Sequence, residues 1–376
     1  MLFVLSVVLL VFVAVLLLVA FVAITWDHDI VQSYVALPSP ADLGTQEFCW
    51  RCWLSPLTRR GWRTSILRSP CPRITLQCPF ALLSADFAKL ATSLGLPKLA
   101  LEHVPFLFPQ VAIGSLFLQL LGNSHFPASV RNIRLEAINI VQVRDLDMRF
   151  QSQDGEESTV PELKCIMVLT EKRFLESKIE FSVQTDLFDD QGTVWQSITW
   201  FSIPFKQDTL LVPLSVSTSA LDEDLVLRAN SKLLADSFVC SKRNLTEYEE
   251  VSVVGLTGTH ARKEDSVPMM WMLARAAVVL QEQGRVPQLP LMCRCVFAED
   301  VAFVPLQRKI QLQSWISEED TQEEPQAQVT KVALDVDATN IMTGILRTVG
   351  WVYTGQDESS QQPLITAAEG GNIDTN

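Results

Sequence analysis

Residues 266–280 read SVPMMWMLARAAVVL, and Arg275 is the one charged side chain among them. The stretch predicts a helix over 267–283 that ends before Gly284. A helix that is apolar nearly all the way round must be buried on every side. A polar run, THARKED (259–265), leads into it, and LMCRCVF (291–297) leaves it as a strand. The question for the fold is what wraps such a helix.

The rest of the chain supplies strands. In ESKIEFSVQTDLF (176–188), Ile179, Phe181, Val183 and Leu187 fall on one face, the period of a half-buried strand. DDQG (189–192) is a turn, and TVWQSITWFSIPF (193–205) is the return strand of a hairpin. Strand-like runs also cover 129–151 and 162–174, separated by a polar loop at 152–160. Ahead of them lie a helix at 85–95, with Gly95 as its C-cap, and a second all-round apolar helix, FPQVAIGSLFLQLLGN (108–123). The same order returns after the helix at 267–283. Strands LMCRCVFAE and QRKIQLQSW follow, then an acidic loop at 316–328, then a closing hairpin, TKVALDVDATN with IMTGILRTVGWVY. The organisation is a buried helix followed by a long antiparallel sheet, twice: an α+β chain in which each sheet curls round one apolar helix.

The N-terminus has a different character. Residues 2–25, LFVLSVVLLVFVAVLLLVAFVAIT, hold no charge. About 20 apolar residues span a bilayer as a helix. No Lys or Arg precedes the run, and it exceeds the apolar core of about 7–15 residues found in signal peptides. An uncleaved transmembrane anchor is expected, with a cleavable signal peptide as the alternative. Residues 26–73 read as a linker. Within it Arg51, Arg59, Arg60, Arg63, Arg68 and Arg73 are interleaved with Trp50, Trp53 and Trp62, and no acid stands between Glu47 and Asp86. That composition suits a segment resting in anionic headgroups; a solvated loop with its tryptophans tucked under the next domain is the alternative. The expected partner is therefore membrane lipid, through residues 2–25 and through 50–73.

The net charge is −13, with eleven acids between Ile316 and the C-terminus against Lys331 and Arg347. Nucleic-acid binding needs a broad basic face, so no nucleic-acid partner is expected. The tail from Gly355 is polar and expected to be disordered. The eight cysteines (49, 52, 71, 78, 165, 240, 293 and 295) show no clear disulfide framework. Cys49 and Cys52 have ligand spacing, but no second pair or histidine completes a zinc site. Cys293 and Cys295 alternate on a strand and read as buried thiols. No phosphate loop, Ser-His-Asp order or metal spacing is present, and no cofactor is expected.

With the helix placed, the second half resembles the MaoC-like dehydratases, the hot-dog-fold family that includes the (R)-specific enoyl-CoA hydratases. In that family the central helix opens on a His-Gly-Met-Trp run and continues to Ala-Arg. Met270, Trp271, Ala274 and Arg275 match, while Pro268 and Met269 stand at the His-Gly positions. MCRCVFAEDVAFVPLQRKIQLQ (292–313) is similar to the family's strand crossover, with Phe297 and Pro305 in place. LGLPKLALEHVPFLFPQVAIGSLFLQLL and FPASVRNIRLEAINIVQVRDLDMRF are similar to the family's non-catalytic repeat. The resemblance covers about residues 74–354 and implies a double hot-dog fold, with repeats at 74–215 and 216–354.

The family's hydratases carry Asp-x-Asn-Pro-x-His ahead of that helix, whose Asp and His move a water and a proton across the substrate double bond. The equivalent here is SKRNLTEYEE (241–250). Asn244 matches. The aspartate position falls on Lys242 or Arg243, and the histidine position falls near Glu247. His260 does not fit the motif and reads as a surface side chain. The expectation is a protein that has lost hydratase chemistry and binds an acyl-CoA, another acyl thioester, a lipid or a partner protein, as a monomer or a homodimer. The expected ligand pocket is Asn244, Met270, Trp271 and Arg275. The alternative is an active hydratase, dehydratase or thioesterase with a rebuilt acid–base pair, for which Glu247 and Tyr248 are the candidates.

Asn244-Leu245-Thr246 is also an N-glycosylation sequon. A lumenal domain exposes it to glycosylation; a cytosolic one leaves Asn244 a structural hydrogen-bonding role. The Arg/Trp segment and the unpaired cysteines favour a single-pass protein of the endoplasmic reticulum with its folded part in the cytosol.

Overall fold

The computed structural model of the chain describes residues 9–17, 30–34, 71–80, 84–96, 105–123, 126–128, 133–146, 163–175, 178–204, 232–252, 266–298, 304–318 and 328–348. The first half contains strands β1 (Ile30–Tyr34) and β2 (Arg73–Phe80) and helices α1 (Ser84–Ser93), α2 (Phe108–Ala112) and α3 (Gly114–Gly122). Strands β3 (Arg134–Gln142), β4 (Leu163–Phe174), β5 (Lys178–Asp189) and β6 (Gly192–Pro204) complete it. The second half runs β7 (Lys232–Val239), α4 (Lys242–Glu249), β8 (Ser266–Val267), α5 (Met269–Glu282), β9 (Leu291–Phe297), β10 (Val304–Pro305), β11 (Lys309–Glu318), β12 (Gln328–Val336) and β13 (Thr339–Thr348).

Eleven of these strands form one continuous sheet in the order β1-β2-β4-β5-β6-β3-β9-β13-β12-β11-β7. In each half, excluding β1, the strands lie first, third, fourth, fifth, second in chain order. The two second strands, β3 and β9, pair antiparallel at the centre, with Ile138 opposite Cys295 and Ile140 opposite Cys293. The repeat expected from the sequence is therefore present, joined edge to edge through β3 and β9.

Ile179, Phe181, Val183 and Leu187 of β5 are all buried in the core, as the alternation predicts, but Glu180 and Ser182 of the opposite face are buried as well, so β5 is covered on both faces there rather than half-buried. The two apolar helices are also buried. Along α5, ten of fourteen residues are sealed from solvent, among them Met269, Trp271 and Met272. The first repeat's helix is not continuous but breaks at Ile113 into α2 and α3, with burial on nearly every side. Phe117, Phe126, Phe181 and Phe201 pack as one aromatic cluster between α3 and the sheet.

Three features differ from the expectation. Each repeat begins with an unforeseen strand, β2 or β7, and the second repeat also has a short helix, α4, in the place that the expected helix α1 holds in the first. KLLADSFV (232–239) carries no clean alternation, because β7 pairs only with β11 among the described strands and keeps Ala235, Asp236, Ser237 and Val239 exposed. Within the stretch read as a linker, residues 30–34 form β1, parallel to Arg73–Gln77 of β2, and it is the one parallel pairing among the described strands. Near the N-terminus, residues 9–17 are helical with their apolar side chains exposed, Leu10 by 72%. Among the described residues no helix is long and apolar enough to cross a membrane. The Arg/Trp segment at 50–70, the loop at 152–160, most of the acidic loop, the tail and all four histidines lie outside the described residues.

Candidate functional site

The resemblance directs attention to SKRNLTEYEE and to the start of α5. The fold brings both against the end of α1. That helix closes as its glycine predicts. Gly95 takes φ +73°, Leu96 N–H donates to the Ala91 carbonyl and Gly95 N–H to the Thr92 carbonyl. This is a Schellman motif, and it leaves the Ser93 carbonyl without an acceptor role inside the helix. The second repeat satisfies it twice. Asn244 Nδ2 donates to Ser93 O at 2.7 Å, and Trp271 Nε1 donates to the same oxygen at 3.1 Å.

Asn244 is held from its other side as well. Ser241 is the N-cap of α4, and Asn244 stands at the third helical position in a capping box. Ser241 N–H donates to Asn244 Oδ1 at 3.1 Å, and Asn244 N–H donates to Ser241 Oγ at 3.2 Å. The Ser241 hydroxyl also bonds to Asn244 Oδ1. Both ends of the amide are therefore spent: Oδ1 on the cap, Nδ2 on α1. A third side chain of the second repeat donates to the first in the same sense. Ser252, just past α4, donates its hydroxyl to the Val111 carbonyl of α2 at 3.1 Å. The crossover after β9 closes over the same region: Pro305 pairs with Ser266 beside the start of α5, and Gln307 N–H donates to the Cys240 carbonyl before α4.

The positions that the family gives to acid–base chemistry are arranged differently. Lys242 and Arg243 are exposed. Glu247 is half-buried, and its carboxylate pairs with Arg243 Nε at 2.9 Å, one turn back on the helix. An exposed pair of this kind contributes only about 0.3–0.5 kcal/mol, but it engages the carboxylate. Tyr248 is 1% exposed, and burial pushes its phenol well above the ordinary range, opposed by a hydrogen bond with Ser252. It packs as a core residue.

The remaining pocket residues lie along α5. Trp271 is fully buried against Phe238, edge to face at 6.0 Å between ring centres. Met270 is half-buried. Arg275 is one turn beyond Trp271, so the two share a helix face. It is half-buried, and its Nη1 is sealed from solvent with no hydrogen-bond partner among the described residues. The structure thus joins Asn244 and Trp271 on one carbonyl and sets Arg275 one turn further along.

Sequence reading did not find Ser93 or Ser252. Neither belongs to a motif, because each contact runs through a backbone carbonyl: Ser93 offers its own, and Ser252 donates to that of Val111. It also missed Gln110, buried in the first repeat, whose Nε2 donates to Thr199 Oγ1 at 3.0 Å while its Oε1 has no partner among the described residues.

No protein-family model matches the chain, and no curated protein matches it in sequence. Solved structures do. A MaoC-like dehydratase from Phytophthora capsici superposes with a TM-score of 0.52 at 13% identity, over 77% of this chain and 99% of that one. HtdX from Mycobacterium tuberculosis gives a TM-score of 0.48 at 14% identity, over 74% of this chain and all of that one. A second Mycobacterium tuberculosis protein, described as having a double hot-dog fold, gives 0.45 at 11% identity, over 72% and 93%. Two repeats of one strand order on a single sheet, each round a buried helix, and the dehydratase superposition agree: the chain has the double hot-dog fold of the MaoC-like dehydratases.

Proposed function

We propose that this chain is a membrane-anchored MaoC-like hot-dog protein that works by binding, with an acyl thioester, a lipid or a partner protein as ligand, and without efficient hydratase chemistry. One observation carries the reading. The one residue of the hydratase motif that matches, Asn244, has both polar atoms of its amide hydrogen-bonded in structure, while the aspartate position falls on an exposed Lys242 or Arg243 and the histidine position near a Glu247 paired to Arg243. Hydration of a double bond needs one group to take a proton from water and another to deliver one to carbon. Two exposed basic side chains and an engaged carboxylate are a poor substitute. Arg275 supports a binding role. A buried guanidinium N–H without a partner costs about 1–3 kcal/mol, which an anionic or carbonyl group of a ligand offsets.

The anchor reading rests on the composition of residues 2–25 and on the exposed apolar side chains of residues 9–17, a contiguous apolar surface of the kind that lipid covers. The cytosolic orientation gains support from Asn244. Its Nδ2, the atom a glycan modifies, is held against α1 by the hydrogen bond to Ser93 O, so a glycan has to be accommodated within the seam between the repeats.

The test is an enoyl-CoA hydration assay on the purified full-length chain, with crotonyl-CoA and longer substrates, beside calorimetric titration with the same compounds. Saturable binding with no turnover in the range of about 1–1000 per second supports the reading. Turnover in that range refutes it, and its loss in Glu247→Gln then identifies a rebuilt base. That second reading has one observation in its favour: Glu247 occupies the histidine position and is half-buried.

A further inference from the structure

We propose that Cys78 and Cys165 are a paired redox site that closes a disulfide between β2 and β4. The two stand directly opposite each other in antiparallel strands, Cys78 against Cys165, and both face the core. Opposed residues in an antiparallel pair have Cα atoms about 4.5–5.5 Å apart. A disulfide needs Cα atoms about 4.4–6.8 Å apart, a range that includes opposed antiparallel residues. Both thiols are free, and their mutual interaction holds the Cys78 thiol below its ordinary pKa and, with burial, the Cys165 thiol well above.

Access follows from the sheet edge. Strand β1 covers β2 only from Arg73 to Gln77. From Cys78 onward β2 has no outer neighbour among the described strands, and Pro79, which cannot donate to a ladder, is exposed there. Fraying of this short unprotected end exposes Cys78 without unfolding the repeat. The other close pair does not share the geometry. Cys293 and Cys295 have sulfurs 3.6 Å apart but lie two residues apart on one strand. Two strand residues span about 6.4–6.8 Å, the limit of the disulfide range.

The chemistry is thiol–disulfide exchange with a low-molecular-weight disulfide of the glutathione type. The Cys78 thiolate attacks one sulfur of that oxidant, forms a mixed disulfide and releases one thiol. The Cys165 thiolate then attacks the Cys78 sulfur and displaces the second thiol. Two protons leave the protein thiols, and two electrons reduce the oxidant disulfide to two thiols. The product pins the exposed end of β2, the strand on which β1 is mounted. It does not depend on the ligand of the seam.

The test uses the full-length chain equilibrated in graded glutathione redox buffers. Free thiols are blocked by acid-quenched alkylation, and peptides are mapped by mass spectrometry. The expected result is a Cys78–Cys165 cross-linked peptide that grows with the oxidised fraction and vanishes on reduction, while Cys293 and Cys295 remain alkylated as thiols. Thermal unfolding of the oxidised chain shifts upward by several degrees, and Cys78→Ser and Cys165→Ser chains lack the shift. Recovery of Cys78 and Cys165 as separately alkylated peptides across the whole series overturns the proposal. So does a linkage from either one to Cys71 or to any other cysteine.

Discussion

The shared acceptor at the end of α1 makes a quantitative prediction about Asn244 and Trp271. In Trp271→Phe the indole hydrogen bond to Ser93 is lost, but Asn244 still satisfies that carbonyl. The cost is one net hydrogen bond, about 1 kcal/mol, plus the gap left by the smaller ring at a 1% exposed site, about 1–2 kcal/mol. In Asn244→Ala the capping box and one hydrogen bond go, about 1–2 kcal/mol together, while Trp271 keeps the carbonyl paired. In the double variant Ser93 O is buried with no side-chain donor. An orphaned buried acceptor costs about 1–3 kcal/mol beyond the lost contacts. The two substitutions are therefore expected to be non-additive, with the double variant less stable than the sum by about 1–2 kcal/mol. Urea unfolding of the full-length chain and its three variants, followed by tryptophan fluorescence and circular dichroism, measures the cycle. Additivity within about 0.3 kcal/mol refutes the shared acceptor as the reason the two repeats lock here.

Three further outcomes follow from local geometry. The β12–β13 turn places Asp337 and Ala338 at φ 50° and 62°, and alanine is strained in that region, so Ala338→Gly should raise stability by up to about 1 kcal/mol in urea unfolding; a loss contradicts the turn geometry. At Gly344 an added methyl group meets Cys295 Sγ at 2.9 Å and the Arg294 carbonyl at 3.1 Å, so Gly344→Ala should cost about 1–3 kcal/mol, and a neutral result means β9 and β13 are further apart than described. Burial holds the Asp186 carboxyl above its ordinary pKa, against hydrogen bonds from Gln196 and Gln184. The folded chain then binds this proton more tightly than the unfolded chain, whose carboxyl titrates near about 3.9. Stability from this group is highest at acid pH and falls as pH rises through the interval above that value. Asp186→Asn has no such proton, so its melting temperature should gain on the wild type as pH rises from acid to neutral; a gap that closes instead is the contrary result.

Much of this fold is legible because burial writes itself into periodicity. The two-residue period of β5 and the all-round apolar character of 108–122 and 269–282 state which faces are covered, and a sheet round a helix is the arrangement that covers both. The edge strand β7 is illegible for the complementary reason: Ala235, Ser237 and Val239 on one face and Asp236 on the other are exposed, so neither face declares itself. The break at Ile113 leaves no mark because Gly114 and Ser115 interrupt a run that is buried either way. In the site, Asn244 and Trp271 were visible as residue types. Their common partner was not, since a carbonyl carries no residue identity and Ser93 offers its backbone rather than its side chain.

The same fact accounts for what remains at the motif. An asparagine at the third position of a capped helix can accept from the N-cap and still donate outward, whereas an aspartate in its place has no donor for Ser93. A tryptophan one turn before Arg275 reaches the same oxygen through its only polar atom. Both residues are thus required by an orphan carbonyl at the end of α1, whatever happens to a substrate. Lys242, Arg243 and Glu247 face no such demand. They sit on the outward side of α4, where charge is tolerated and an i, i+4 pair forms. Structural necessity therefore falls on Asn244 and Trp271, and freedom falls on the positions that hydration chemistry needs. A chain under that division can abandon catalysis while keeping the seam between its repeats intact.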